Sequence, residues 1–124
     1  MATLFEALIR ENESFFETFI WKSDGIPVDI SDPNVEIYAQ FRDSQDSAGV
    51  LVLDASTSSG HINKTANAGE FTIFITLAEL KLSFMPEVDY YFETVVRTGI
   101  SPNFHYKSLF LGRIRRSGEL TVVP

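Results

Sequence analysis

The sequence contains no cysteine, which excludes a disulfide framework, a thiolate metal site and a thiol nucleophile. It has no apolar run approaching the roughly 18 residues that a membrane-spanning helix needs. Residues 1–12 carry neither a basic leader nor an apolar stretch long enough for a signal peptide, so a soluble chain with no cleavable leader and no membrane partner is expected. Histidine is scarce. His61 and His105 lie far apart in the chain, and neither has a second ligand at helical spacing, so no metal site is expected. Asp43, Gln45 and Ser47 have the spacing of the first ligands of a calcium loop, but the glycine and the closing glutamate of that motif are missing, which leaves a turn. There is no nucleophile elbow, phosphate-binding glycine loop or dinucleotide fingerprint. The carboxylate pairs Asp29/Asp32 and Glu87/Asp89 fall in turn-forming sequence, where solvated side chains are the ordinary explanation. The expectation is therefore no catalytic residue, no metal, no cofactor and no enzymatic activity.

Basic residues are also in the minority, 10 Lys and Arg against 17 Asp and Glu, for a net charge of −7. Affinity for a phosphate backbone comes mainly from lysine and arginine, so nucleic acid is not an expected partner. The charge is unevenly spread. Residues 1–96 hold 5 basic and 16 acidic side chains, whereas residues 97–124 hold 5 basic side chains and only Glu119. Either the basic end is a solvated strand end, or Lys107, Arg113, Arg115 and Arg116 form a protein–protein contact with acidic surface on a neighbour, including another copy in a homo-oligomer.

What is abundant is phenylalanine: 11 Phe and 4 Tyr against a single Trp in 124 residues. This length and composition suit one folded domain over 1–124 with an aromatic core, as in a sandwich interior. The organising stretch is 69–98. Phe71, Ile73 and Ile75 alternate on one face of a strand; Thr76-Leu77-Ala78-Glu79 is a capping box that opens a short helical turn over Leu77 to Ser83, and Pro86 keeps it short. A second strand follows, with Tyr90, Phe92, Thr94 and Val96 on one face and Tyr91, Glu93, Val95 and Arg97 on the other. Strand, helical turn and strand make a crossing between two packed sheets.

Elsewhere, Thr3 to Arg10 fits a capping box at Thr3-Leu4-Phe5-Glu6 but also alternates as a strand, the reading adopted here. Phe15 to Lys22 is a strand, Ser23-Asp24-Gly25 a tight turn, and Ile26 to Ile30 extended. Val35, Ile37, Ala39 and Phe41 alternate with Glu36, Tyr38, Gln40 and Arg42, so one face of this strand meets the core and the other meets water. Val50 to Asp54 makes a hairpin with it. Residues 55–68 are a long polar loop with only Ile62 to bury and at most a short strand near 60–63. Residues 99–103 turn into a strand from His105 to Arg116, and Ser117-Gly118 turns into a last strand from Leu120 to Val123. About eight short strands separated by polar turns predict an all-β sandwich with one helical turn. Phe41, Phe71, Ile73, Phe92 and Val96 are expected between the sheets. On the outer face, Tyr38 and Tyr91 could offer an aromatic platform to a sugar ring, with the loop at 63–67 beside it, or simply pack across neighbouring strands.

The order of motifs carries a resemblance: Asp24-Gly25-Ile26-Pro27-Val28-Asp29-Ile30, then Ala39-Gln40-Phe41-Arg42, Gly69-Glu70-Phe71, Tyr90-Tyr91-Phe92-Glu93, Leu111-Gly112 and Thr121. From about Phe15 to Val123 the chain resembles a small immunoglobulin-like β-sandwich domain of tailed bacteriophages, found alone or as the N-terminal domain of upper baseplate proteins. The resemblance implies a virion structural protein, made in the host bacterial cytoplasm, that acts as a tail, baseplate or fibre-attachment adaptor among other virion proteins. A capsid decoration protein and a host-surface glycan-binding module are the alternative expectations.

Overall fold

A computed structural model describes residues 3–9, 13–45 and 48–117. The last strand expected, Leu120 to Val123, lies outside the described residues. Ten strands and one helix run in the order β1 (Thr3–Ile9), β2 (Phe15–Ile20), β3 (Lys22–Ser23), β4 (Ile26–Pro27), β5 (Glu36–Arg42), β6 (Leu51–Ser56), β7 (Ile62–Lys64), β8 (Glu70–Ile75), α1 (Leu77–Ser83), β9 (Asp89–Ile100) and β10 (Asn103–Arg116). They form a five-stranded sheet in the order β1-β10-β9-β5-β6, a three-stranded sheet β2-β8-β7 and the small hairpin β3-β4. All pairings are antiparallel except β1 with β10, where the first described strand lies parallel to the last.

The two larger sheets pack face to face through phenylalanine, so the fold is an all-β sandwich. Phe19 of the small sheet meets Phe92 and Phe110 of the large one, at ring-centroid distances of 6.4 and 5.2 Å, and Phe15 meets Phe41 at 6.5 Å. The expected alternation is followed closely. Val35, Ile37, Ala39 and Phe41, then Phe71, Ile73 and Ile75, then Tyr90, Phe92, Thr94 and Val96 are all buried. Because strand side chains alternate, the same register sends Tyr38, Gln40, Arg42, Tyr91 and Glu93 outward.

Thr94 is fully buried in this core, and the strand beside it explains why a hydroxyl stands there. The pairing of β9 with β10 slips between Ser108 and Phe110, so Leu109 is an extra residue on β10 and the ladder is locally broken. Thr94 Oγ1 accepts the amide of Phe110 at 3.0 Å, replacing the strand partner that the bulge displaces.

The crossing from β8 to β9 is built as the capping box implies. Thr76 Oγ1 accepts from the Glu79 amide at 3.2 Å, and Glu79 Oε1 accepts from the Thr76 amide at 3.1 Å. At the other end Phe84 closes the helix with its amide on Leu80 O, and Tyr90 accepts the Met85 amide at 2.8 Å.

Three local readings are refined. The strand expected over 15–22 breaks at Trp21: its amide still donates to Gly69 O, the next position of the β2–β8 register, but its carbonyl turns away to accept from Val28 N. Gly69 has φ 71°, and a Cβ there would lie 2.5 Å from Trp21 O, so only glycine allows this approach. Of Ile26 to Ile30 only Ile26–Pro27 is paired, across a two-residue turn in which Asp24 and Gly25 both take positive φ. The polar stretch at 55–68 is also more ordered than its composition implies: β6 runs on to Ser56 and buries Ala55, while the short strand expected near 60–63 is present as β7 in the small sheet, with Ile62 buried as expected.

Candidate functional site

The outward side chains of β5, β9 and β10 surround a depression of about 950 Å³ on the large sheet. The register places its parts in rows: Tyr38 beside Val95 and Ser108, Gln40 beside Glu93 and Leu111, and Arg42 beside Tyr91 and Arg113. Tyr38 and Tyr91 thus border one depression, together with Tyr106 from β10. The Tyr38 row and the Tyr91 row are four residues apart on β5, about 13 Å at strand rise. The loop at 63–67 does not join them, since Asn63 belongs to β7 in the other sheet.

Polar groups in the depression are already engaged with each other. Arg42 donates through Nη1 to Gly49 O at 3.0 Å and through Nη2 to Gln40 Oε1 at 2.9 Å. Ser108 Oγ donates to Glu93 Oε2 at 2.7 Å. At the rim, the Arg97 guanidinium lies over Phe104 at 4.2 Å and over Tyr38 at 5.7 Å, which orients the Tyr38 ring. Burial raises the Tyr38 hydroxyl above its ordinary value, and the Arg97 charge works against that. Beside it, burial acts to raise the Glu36 carboxyl, but hydrogen bonds from Ser58 and Thr57 outweigh this and hold it below the usual range.

The basic segment is mostly matched within the chain. Arg113 pairs with Glu6 across the parallel β1–β10 ladder, and Arg115 Nε donates to Asp89 Oδ1 at 2.8 Å. The Arg115 hydrogen bond and charge hold the Asp89 carboxyl below its ordinary range. Arg116 is a correction: only 4% exposed, it donates through Nη1 to Phe84 O at 2.6 Å and cannot meet a neighbour. Alternation explains this, because Ile114 and Arg116 share the inward face while Arg113 and Arg115 point out. Lys107 is exposed on β10, as is His105.

A cluster that the sequence reading missed joins the two halves of the fold. His61 Nε2 lies 2.6 Å from Glu79 Oε2, and Ser59 Oγ lies 2.9 Å from His61 Nδ1. Glu79 therefore serves twice, with one oxygen on the helix cap and the other on the β6–β7 turn. The hydrogen bond from His61, then that from the Thr76 amide, holds its carboxyl below the usual glutamate range. Serine, histidine and acid in one line have the makings of a proton relay, but Ser59 Oγ also accepts the Ser56 amide and donates to Ser56 O, each at 3.0 Å. The hydroxyl is thus committed to the turn. Its signal in the sequence was weak, since 18 residues separate His61 from Glu79 and only the sheet crossing brings them together. Among the described residues no group of three or more His, Cys, Asp or Glu could hold a metal ion.

The outer face of the small sheet carries an exposed aromatic pair. Phe16 and Phe74 stand side by side on β2 and β8, ring centroids 5.9 Å apart, and are 59% and 37% exposed, with Ile20 at 42% on the same face. The sequence did signal these residues through the second phase of the β2 and β8 alternation. No protein-family model and no curated protein matches the chain. No helix among the described residues is long and apolar enough to cross a membrane.

Proposed function

We propose that the chain is a structural protein of a tailed-phage virion, acting as an adaptor in the tail, baseplate or fibre-attachment region. Support comes from the order of motifs between Phe15 and Val123 and from one surface that carries the argument. An antiparallel sheet with one face in the core normally turns a polar face to water. Here that face offers the adjacent pair Phe16 and Phe74, with Ile20 further along it beyond Thr18 and Thr72, and large apolar side chains exposed together in this way mark a protein contact. The large sheet, pointing the other way, leaves a second face for another neighbour. Catalysis plays no part in this reading, and the partners are other virion proteins or further copies of the chain.

The test is to analyse purified particles and complement a particle lacking the chain with Phe74→Glu. The reading expects the wild-type chain at fixed stoichiometry in tails separated from heads, and folded Phe74→Glu protein that fails to incorporate. Recovery with heads alone would make it a capsid decoration protein. Absence from particles, or normal incorporation of Phe74→Glu, would overturn the adaptor reading.

A further inference from the structure

The depression on the large sheet has a chemistry of its own, independent of where the chain resides. We propose that it binds a neutral saccharide, held by Gln40 and Glu93 between the tyrosines Tyr38, Tyr91 and Tyr106. Three observations narrow the ligand class.

First, the charges lining the site balance, Arg42 and Arg113 against Glu6 and Glu93. Arg113 is paired with Glu6, Arg42 donates to Gly49 O and to Gln40, and Arg97 lies outside the lining, against two rings. With Glu93 lining it as well, a phosphate or carboxylate ligand would meet a carboxylate and no net positive charge. A neutral ligand is favoured.

Second, the depression lies on the face of β5, β9 and β10, whereas the unpaired strand edges among the described residues, those of β1, of β6 and of β10 before Phe110, point along the plane of the sheet and not into it. An extended peptide would add no strand there and gain no main-chain hydrogen bonds. Recognition must run through side chains alone.

Third, the remaining hydrogen-bonding capacity is that of a diol. Arginine only donates, so the bond from Arg42 fixes Gln40 with its carbonyl toward the guanidinium and leaves the amide NH2 to donate elsewhere. Glu93 accepts Ser108 on Oε2, and Oε1 has no partner among the described residues. Gln40 and Glu93 are directly paired in the β5–β9 register, so a donor and an acceptor stand side by side on adjacent strands. Adjacent hydroxyls of a pyranose, one accepting and one donating, match that pair. The aromatic residues bordering both ends of the depression supply rings for the apolar C–H faces of a sugar. A volume of about 950 Å³ falls at the upper end of ordinary ligand sites, which suits a short oligosaccharide more than a monosaccharide.

The test is an amide-resolved NMR titration of the full chain with four neutral probes, maltotriose, cellotriose, triacetylchitotriose and mannotriose, beside 3′-sialyllactose and inorganic phosphate. At least one neutral trisaccharide should shift amides within 38–42 and 91–95 at millimolar concentration. Tyr91→Ala and Gln40→Ala, whose side chains lie outside the core, should each keep the wild-type far-UV spectrum and weaken that binding about tenfold, the loss of one good contact. Four neutral probes without effect, shifts with sialyllactose or phosphate alone, or affinity unchanged in both variants would each overturn the proposal.

Discussion

Gly112 lies opposite Phe92 in the β9–β10 register, and its conformation does not require glycine: no positive φ is found there. In open space Gly112→Ala would therefore stabilise the fold by about 0.4–1 kcal/mol, by restricting the unfolded chain. The geometry reverses that sign. A Cβ built on Gly112 overlaps Cε1 and Cζ of the Phe92 ring and lies 2.8 Å from Cδ1. The ring cannot step aside, being held at 4.7 Å by Phe41 and at 6.4 Å by Phe19. Overpacking of this kind costs about 1–3 kcal/mol, or about 4–12 °C in thermal midpoint for a domain of this size. Phe92→Ala alone should cost about 3–5 kcal/mol by opening a cavity. Placed on Phe92→Ala, the added methyl meets no ring and fills part of the space, so its cost should vanish or reverse. Urea denaturation of the four proteins of this cycle measures the coupling, expected at about 1–3 kcal/mol. Additive costs, or Gly112→Ala more stable than wild type, would show that β9 and β10 are misregistered or their faces exchanged.

Other outcomes follow from single contacts. Glu79 is held below its ordinary value, so its ionised form stabilises the fold above the unfolded glutamate pKa, and that contribution is lost as pH falls through the lower folded value. Stability measured against pH should thus fall on the acid side of about 4.5, and Glu79→Gln should flatten that limb; an identical acid limb in the variant would refute the clasp. Thr94→Val, nearly the same shape, strands the Phe110 amide in the core and should lower the unfolding free energy by about 1–3 kcal/mol, read as a lower urea midpoint with an unchanged slope. An unmoved midpoint would mean that another group serves that amide. Arg116→Ala removes a buried donor from Phe84 O and should lower the thermal midpoint equally at low and high salt; a salt-dependent loss would instead indicate a surface charge role.

The core was legible because it is written in alternation. Val35 to Phe41, Phe71 to Ile75 and Tyr90 to Val96 place every second residue inside, and a period of two needs no knowledge of partners. The capping box at Thr76 was equally local. What was lost depends on distant pairing. The clasp of His61 with Glu79 and the pairing of Glu6 with Arg113 exist only once the sheets are assembled. A mean composition also hid the order in 55–68, where serine side chains bond backbone within the turn and β6 runs on to bury Ala55. Arg116 was misplaced for a different reason: a count of charges along the chain ignores which face each one occupies. Tyr38 and Tyr91 were correctly turned outward by alternation, but their common depression required the β5–β9 register.

The adaptor reading meets its most direct test in a density map of an assembled particle that contains the chain. The account predicts a sandwich at a joint of the tail, baseplate or fibre attachment, with Phe16, Ile20 and Phe74 covered by a neighbouring protein. A particle in which that face is bare to solvent, or in which the sandwich sits only on the capsid surface, would contradict it.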